Sequence, residues 1–256
     1  MFDTIKYKIK EDELWIILNR PEIHNAFNDR MISELREALR QGRESTPRVL
    51  VLTGEGKSFS AGADLNWMKK MKDFSFEENY NDSLELAHLL FEIYTFPAPT
   101  IALVNGHAFG GGVGLIAATD FAISVRNAKF GLTEVTLGLV PAVISPYLLK
   151  RMGERNLKEL CLTGKRITAG EALKYGLLNE VVDDIYARGE ELIHELKKSS
   201  PHAHRVCKEL IRNIGEMSLE EAIPYTSEVI AKIRVSEEGQ EGMNAFFEKR
   251  RPRWQK

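Results

Sequence analysis

The 256-residue sequence predicts an α/β fold, on three observations. Short, nearly continuous apolar runs alternate with stretches of helical period, and crossovers of that length join parallel strands. From residue 96 to residue 119 there is no Asp, Glu, Lys or Arg, so one strand, a Gly-rich turn and a helix lie in the interior. Beyond Pro141 helical periods dominate to the end of the chain. Residues 1–195 are therefore expected to form the α/β core, and 196–256 a helical C-terminal segment.

Two strands open the chain, near 4–9 and 14–18. The second, Leu14-Trp15-Ile16-Ile17-Leu18, is apolar throughout, which predicts cover on both faces. Asn28 is placed to cap a helix over 29–43 with Met31, Leu35, Ala38 and Leu39 on one face. Arg48-Val49-Leu50-Val51-Leu52-Thr53 is the next buried strand, followed by a Gly-rich loop through Gly56. Helical period returns over 64–71 and 76–96. A strand over 100–104, the Gly-rich turn and a short helix to about 118 precede a strand over 121–125. Gly153, Gly164, Gly176-Leu177 and Ser199-Ser200-Pro201 divide the helices beyond. The last of these carry Leu210, Ile211, Ile214, Ile223, Val229, Ile230, Ile233, Phe246 and Phe247. Such a stripe either packs on its own core or forms a subunit interface.

Composition narrows the function. With 35 Lys+Arg against 37 Asp+Glu the net charge is −2, and a general nucleic-acid binder would want a basic surplus. The 96–119 stretch is long enough to span a bilayer. Pro97, Pro99, Asn105, His107 and five glycines make it a poor spanning helix. No secretory or transit segment is expected from the charged start Asp3-Thr4-Ile5-Lys6, so the expected location is cytoplasmic. Cys161 and Cys207 are too few and too far apart for a disulfide framework or zinc site, and both are expected as buried, inert thiols. No metal-ligand spacing emerges.

Three motifs can carry chemistry. Phe59-Ser60-Ala61-Gly62-Ala63-Asp64-Leu65 follows a buried strand and opens a helix. Asp64 suits a helix cap, and the turn leaves N–H groups free near Ala63; a plain capped turn explains the same residues. Asn105-Gly106-His107-Ala108-Phe109-Gly110-Gly111-Gly112-Val113-Gly114 packs five glycines into nine residues of the most apolar part of the chain. Glycine there is costly unless backbone or ligand must approach closely, and free N–H groups suit developing negative charge. Neither nucleotide fingerprint is met, because position 115 is Leu and Val51 stands where a Walker A glycine belongs. His107 suits packing or hydrogen bonding better than catalysis. In the third motif, 130–142, Glu134 is the only charged side chain between Lys129 and Lys150. A carboxyl in such surroundings should have a raised pKa, as an acid/base at neutral pH requires, unless it is salt-bridged or faces solvent.

In this order the three motifs resemble the enoyl-CoA hydratase/isomerase (crotonase) superfamily. The resemblance begins at Leu18-Asn19-Arg20-Pro21 and Asn25-Ala26-Phe27. It continues through Gly164-Lys165-Arg166-Ile167-Thr168-Ala169, Ala172 and Gly176-Leu177 to Ala245-Phe246-Phe247-Glu248-Lys249-Arg250. It implies a ClpP/crotonase-like fold of repeated β-β-α units, C-terminal helices that build a homo-trimer, and a hexamer of two trimers. The implied ligand is an acyl-coenzyme A thioester, with no tightly bound cofactor. Carried over by position, the N–H groups of Ala63 and Gly111 would form the oxyanion hole, and Glu134 would be the proton-handling glutamate. Glu22, His24, Ala26, Ala61, Ala63, Asp64, Leu65 and Asn66 fall in segments that line coenzyme A.

One departure bears on the reaction. Two-glutamate hydratases carry their other glutamate where this chain has Gly114. A single carboxyl suits a Δ3-Δ2-enoyl-CoA isomerase, and also a hydratase whose water is held by another group. A glutamate at 114 would be tolerated only if the acyl pocket leaves room. The blocks 63–68 and 140–147 look like bacterial methylglutaconyl-CoA hydratases, so a hydratase for a branched, carboxylated enoyl-CoA is expected ahead of the isomerase, and ahead of an acyl-CoA-binding scaffold without chemistry, which Ala63, Gly111 and Glu134 count against. Lys69, Lys70 and Arg151 are candidates for the cation meeting a substrate carboxylate.

Overall fold

The computed structural model describes residues 2–255; Met1 and Lys256, the outer ends of the two expected segments, lie outside them. The chain opens with β1 (Ile5–Lys10), β2 (Glu13–Leu18) and α1 (Asp29–Glu44). Then come β3 (Val49–Gly54), β4 (Ser58–Ser60), α2 (Leu65–Met71) and α3 (Phe76–Tyr94). β5 (Thr100–Val104), β6 (His107–Phe109) and α4 (Gly111–Ala117) follow, and after them β7 (Phe121–Val125), β8 (Lys129–Gly131) and α5 (Ser145–Thr163). β9 (Arg166–Thr168), α6 (Ala169–Lys174), β10 (Glu180–Val182) and α7 (Ile185–Lys197) complete the part built on sheets. Three helices end the chain: α8 (Pro201–Ile214), α9 (Leu219–Val235) and α10 (Glu237–Phe247).

The strands form two sheets, ordered β1-β2-β3-β5-β7-β10 and β4-β6-β8-β9. All pairings are parallel except β1–β2 and β8–β9. Each of β3, β5 and β7 belongs to the large sheet, and the three-residue strand that follows it crosses to the small one before a helix begins. That is the expected β-β-α repeat. It places the ends of β4, β6 and β8, and the turns after them, side by side.

Burial explains why the long strands read clearly. β3 and β5 are buried at every position, as parallel strands under helices should be. β2 differs from expectation: Leu14, Ile16 and Leu18 are buried, whereas Trp15 and Ile17 are only half-buried. The strand has one fully covered face, and α7 with its neighbours covers the other in part. Asn28 caps α1 by accepting from the Met31 N–H at 3.0 Å. α5 is interrupted at Gly153, whose φ of 72° is open to glycine.

The terminal helices are fixed to the sheets by polar anchors. The Arg48 guanidinium donates to the carbonyls of Lys197, Ser199 and Trp254, and the Lys208 ammonium to the Ala98 carbonyl and the Asp120 carboxylate. No residue of α8 or α9 is buried, and Ile211, Leu219, Ile223, Val235, Phe246 and Phe247 stand exposed. Cys161 is half-buried and Cys207 is exposed on α8, so the expected burial of both thiols does not hold. The apolar period around Cys207 faces outward. No helix is long and apolar enough to cross a membrane among the described residues.

Candidate active site

Loop 61–63 is built against the segment 20–27. Arg20 joins them: its guanidinium donates to the Ala26 carbonyl and to the Asp64 carboxylate, both at 2.8 Å. Asp64 also accepts from the Asn66 and Trp67 amides and so caps α2, as expected, while Arg20 and these two amides favour its ionised form against the cost of burial. Asn25, fully buried, donates its side-chain amide to the carbonyls of Glu55 and Ser58. The Ala61 N–H donates to the His24 carbonyl at 2.9 Å. A lone parallel bridge pairs Phe27 with Ala63, in which Phe27 N donates to Gly62 and Asp64 N to Phe27. Ala63 contributes no donor to that bridge, and its N–H has no backbone acceptor among the described residues.

The second free donor comes from the turn after β6. Gly110 has φ 50° and ψ −124°, a conformation only glycine adopts readily, and it turns the chain into α4. Gly111 is the first residue of α4, so its N–H has no acceptor within the helix. A Cβ at Gly111 would lie 2.1 Å from the Phe27 ring, which is why this position holds glycine. The two loops touch: an ideal Cβ on Gly62 would be 3.7 Å from the Gly111 nitrogen.

A cavity of about 410 Å³ lies over these loops, lined by Ala61, Ala63, Leu65, Gly111 and Glu134 among others. Its walls are mostly apolar: Phe27, Trp67, Met68, Met71, Leu86 and Ile144. Glu134 opens the short 3-10 turn Glu134–Leu137 after β8, and its Oε1 comes within 3.1 Å of the Cβ position of Gly110. Its Oε2 is one of four buried side-chain atoms without a hydrogen-bond partner among the described residues. Burial pushes the Glu134 carboxyl above its ordinary range, the direction expected from its uncharged surroundings, and no salt bridge holds it among the described residues.

That shift has a consequence for stability. A carboxyl whose folded pKa is raised stabilises the fold below its ordinary pKa and loses that contribution as pH rises through the folded value. Glu134→Gln should therefore melt at a higher temperature than the parent near about pH 8. The difference should shrink towards about pH 4, where both side chains are neutral. Calorimetry of the two proteins across that range checks it, and a Gln variant less stable than the parent at pH 8 would contradict it.

Some expected residues fall elsewhere. Glu22, His24 and Asn66 are exposed and do not line the cavity, with the His24 ring in hydrogen-bond contact with the Ser58 hydroxyl at 3.1 Å. Ala26 is buried beneath Arg20, and the Asp64 carboxylate is taken up by its cap, so these two offer the site backbone and support. The Arg151 guanidinium is held by the carbonyls of Thr119 and Leu177 and by Asn179, away from the cavity. Lys69 and Lys70 are exposed and do not line it. His107 is a hydrogen-bonding residue whose ring accepts from the Lys129 amide at 3.0 Å.

At Gly114 the pocket leaves no room. A Cβ there would sit 2.2 Å from the Ile144 methyl group, so the volume that a second glutamate would need is filled. Ile144 is 3% exposed and lines the cavity. A lone Gly114→Glu change finds no room.

Known proteins match this architecture. A family model described as enoyl-CoA hydratase/isomerase matches residues 9–256. The chain belongs to the enoyl-CoA hydratase/isomerase family. It is thus an enzyme of the crotonase superfamily, and the expected fold class holds. A crystal structure of an enoyl-CoA hydratase from Shewanella pealeana is similar with a TM-score of 0.97 and 43% identity, over 99% of this chain and 96% of that one. A protein of Thermus thermophilus named as an enoyl-CoA hydratase is 40% identical over 93% of this chain and 96% of its own length. The 2,3-dehydroadipyl-CoA hydratase of Escherichia coli is 32% identical over 93% of each. Within this family member, Arg20, Asn25, Ile144 and Asp82, a carboxyl lining the same cavity from α3, are site residues that sequence reasoning missed.

Proposed function

We propose that the protein is an enoyl-CoA hydratase in which Glu134 handles the proton and the N–H groups of Ala63 and Gly111 hold the thioester oxygen. The observation that carries it is Glu134, with one carboxyl oxygen buried and unpartnered among the described residues, lining the same cavity as Ala63 and Gly111. As the water oxygen bonds to Cβ, Glu134 takes its proton and returns one to Cα. The charge that builds on the thioester oxygen meets donors already in place, where losing one donor typically costs ~10²–10³ in rate. The nucleotide end of coenzyme A would leave past the exposed segment 22–24 and Asn66, and no resident cofactor is needed. The reaction is proposed to run in the cytoplasm.

A second reading, the Δ3-Δ2-enoyl-CoA isomerase, is favoured by Ile144 over Gly114, because one base is enough to move a proton along an acyl chain. Ultraviolet absorbance separates the two. Hydration of crotonyl-CoA or methylglutaconyl-CoA removes conjugation, while isomerisation of a 3-enoyl-CoA creates it. Conversion of the 3-enoyl substrate with no hydration of either 2-enoyl substrate replaces the hydratase by the isomerase.

For the acyl chain, the methylglutaconyl-like proposal is supported by the sequence blocks 63–68 and 140–147 and by the name of the Escherichia coli relative. The cavity lining contains two carboxyls, Asp82 and Glu134, and no Lys, Arg or His among the described residues. The exposed apolar residues of α8–α10 support a homo-trimer or a hexamer of two trimers. Light scattering at micromolar concentration should give at least three subunits, and a 29.0 kDa monomer would contradict this.

A further inference from the structure

Position 114 cannot supply a second carboxyl, so we infer that Asp82 is the group that orients the attacking water. This rests on the hydratase proposed above. Asp82 lies on α3 and lines the same cavity as Glu134, and the two are the only acidic side chains in its lining among the described residues. Its place in the helix is unusual. Positions 82, 86, 89, 90 and 93 fall on one face, and Leu86, Leu89, Leu90 and Ile93 make the rest of that face apolar and packed into the core. A carboxyl in such a stripe needs a partner or costs stability.

The partner it has is a weak one. Asp82 makes no salt bridge among the described residues, although neighbouring Glu85 and Glu92 share Arg36. Burial raises the Asp82 carboxyl, and the nearby carboxylates Asp29 on α1 and Glu85 on α3 raise it further; the Trp67 indole N–H on α2 pulls the other way. Trp67 packs edge-on against Phe27, with ring centroids 6.4 Å apart, and Phe27 lies against Gly111. The Trp67 and Phe27 rings thus fill the wall of the cavity beside Gly111.

The chemistry assigned to it is limited and balanced. One O–H of the water donates to Asp82, which keeps its own protonation state. The other proton passes to Glu134 as the water oxygen bonds to Cβ, and Glu134 returns a proton to Cα. Water and the C=C bond are consumed, and nothing else changes.

The test compares two reactions in Asp82→Asn. Hydration of a 2-enoyl-CoA needs an oriented water. Exchange of the α-protons of butyryl-CoA in deuterium oxide needs only Glu134 and the oxyanion donors. The variant should lose ~10² in kcat for hydration with KM within about threefold, and hydration should fall at least ~10-fold more than exchange. Because Asn keeps the shape and removes a carboxyl from among like charges, its melting temperature should not fall. Unaltered hydration overturns the inference. So does an equal loss of both reactions with a lower melting temperature, which would make Asp82 a support for Trp67. A parent protein that hydrates no 2-enoyl-CoA overturns the proposed hydratase itself and this inference with it.

Discussion

Glu134→Gln should lower kcat by ~10²–10⁴ while leaving acyl-CoA affinity nearly unchanged. The substitution keeps the shape and hydrogen-bonding reach of the side chain and removes the base. No His or Lys lines the space among the described residues, and the other carboxyl of the lining, Asp82, belongs to a different element, α3. Both hydration and α-proton exchange should fall together, because each needs a proton moved at Cα. Steady-state kinetics with equilibrium binding of an acyl-CoA checks the split. Turnover within about threefold of the parent would remove Glu134 from the mechanism.

The second large effect is structural. Gly114→Glu should destabilise the fold by about 3 kcal/mol or more, since overpacking typically costs ~1–3 kcal/mol and a buried carboxylate adds to it. For a chain of this size that is a fall of roughly 6–12 °C in melting temperature. The cause is one contact, the Ile144 methyl group 2.2 Å from the new Cβ. Gly114→Glu with Ile144→Gly should recover most of the loss. It should also raise kcat/KM for crotonyl-CoA by ~10-fold relative to methylglutaconyl-CoA, since a second carboxyl then reaches the cavity. A single Gly114→Glu variant with the parent's melting temperature would contradict the filled-site account.

No local signal in the sequence joins Ile144 to Gly114. Residues 114 and 144 are thirty positions apart, and nothing in the period of either segment joins them. Long strands were visible because β3, β5 and β7 are five or six residues each, uncharged and mostly apolar, with helices beside them. β4, β6 and β8 are three residues each, too short for a pattern, and are held by pairing within a sheet that no local signal announces. β9 and β10 were hidden for the same reason among helical periods. The Gly-rich segment was legible as a close approach, but the partners were not: Phe27 against Gly111 and Ile144 against Gly114 are tertiary facts. Glu134 was legible because an isolated charge in an apolar stretch needs explaining. Asp82 carried the same signal within the helical stripe of 82–93, diluted by the charged residues on the other faces of α3.

The central claim is that one acyl thioester lies with its oxygen on Ala63 and Gly111 and its acyl chain against Glu134. A crystal structure with a bound, unreactive acyl-CoA measures this directly. The account predicts the thioester oxygen ~2.7–3.1 Å from both the Ala63 and Gly111 nitrogens, with a Glu134 oxygen facing Cα and Cβ. A thioester seated away from these two amides, or with its acyl chain outside the cavity that Glu134 lines, would contradict it.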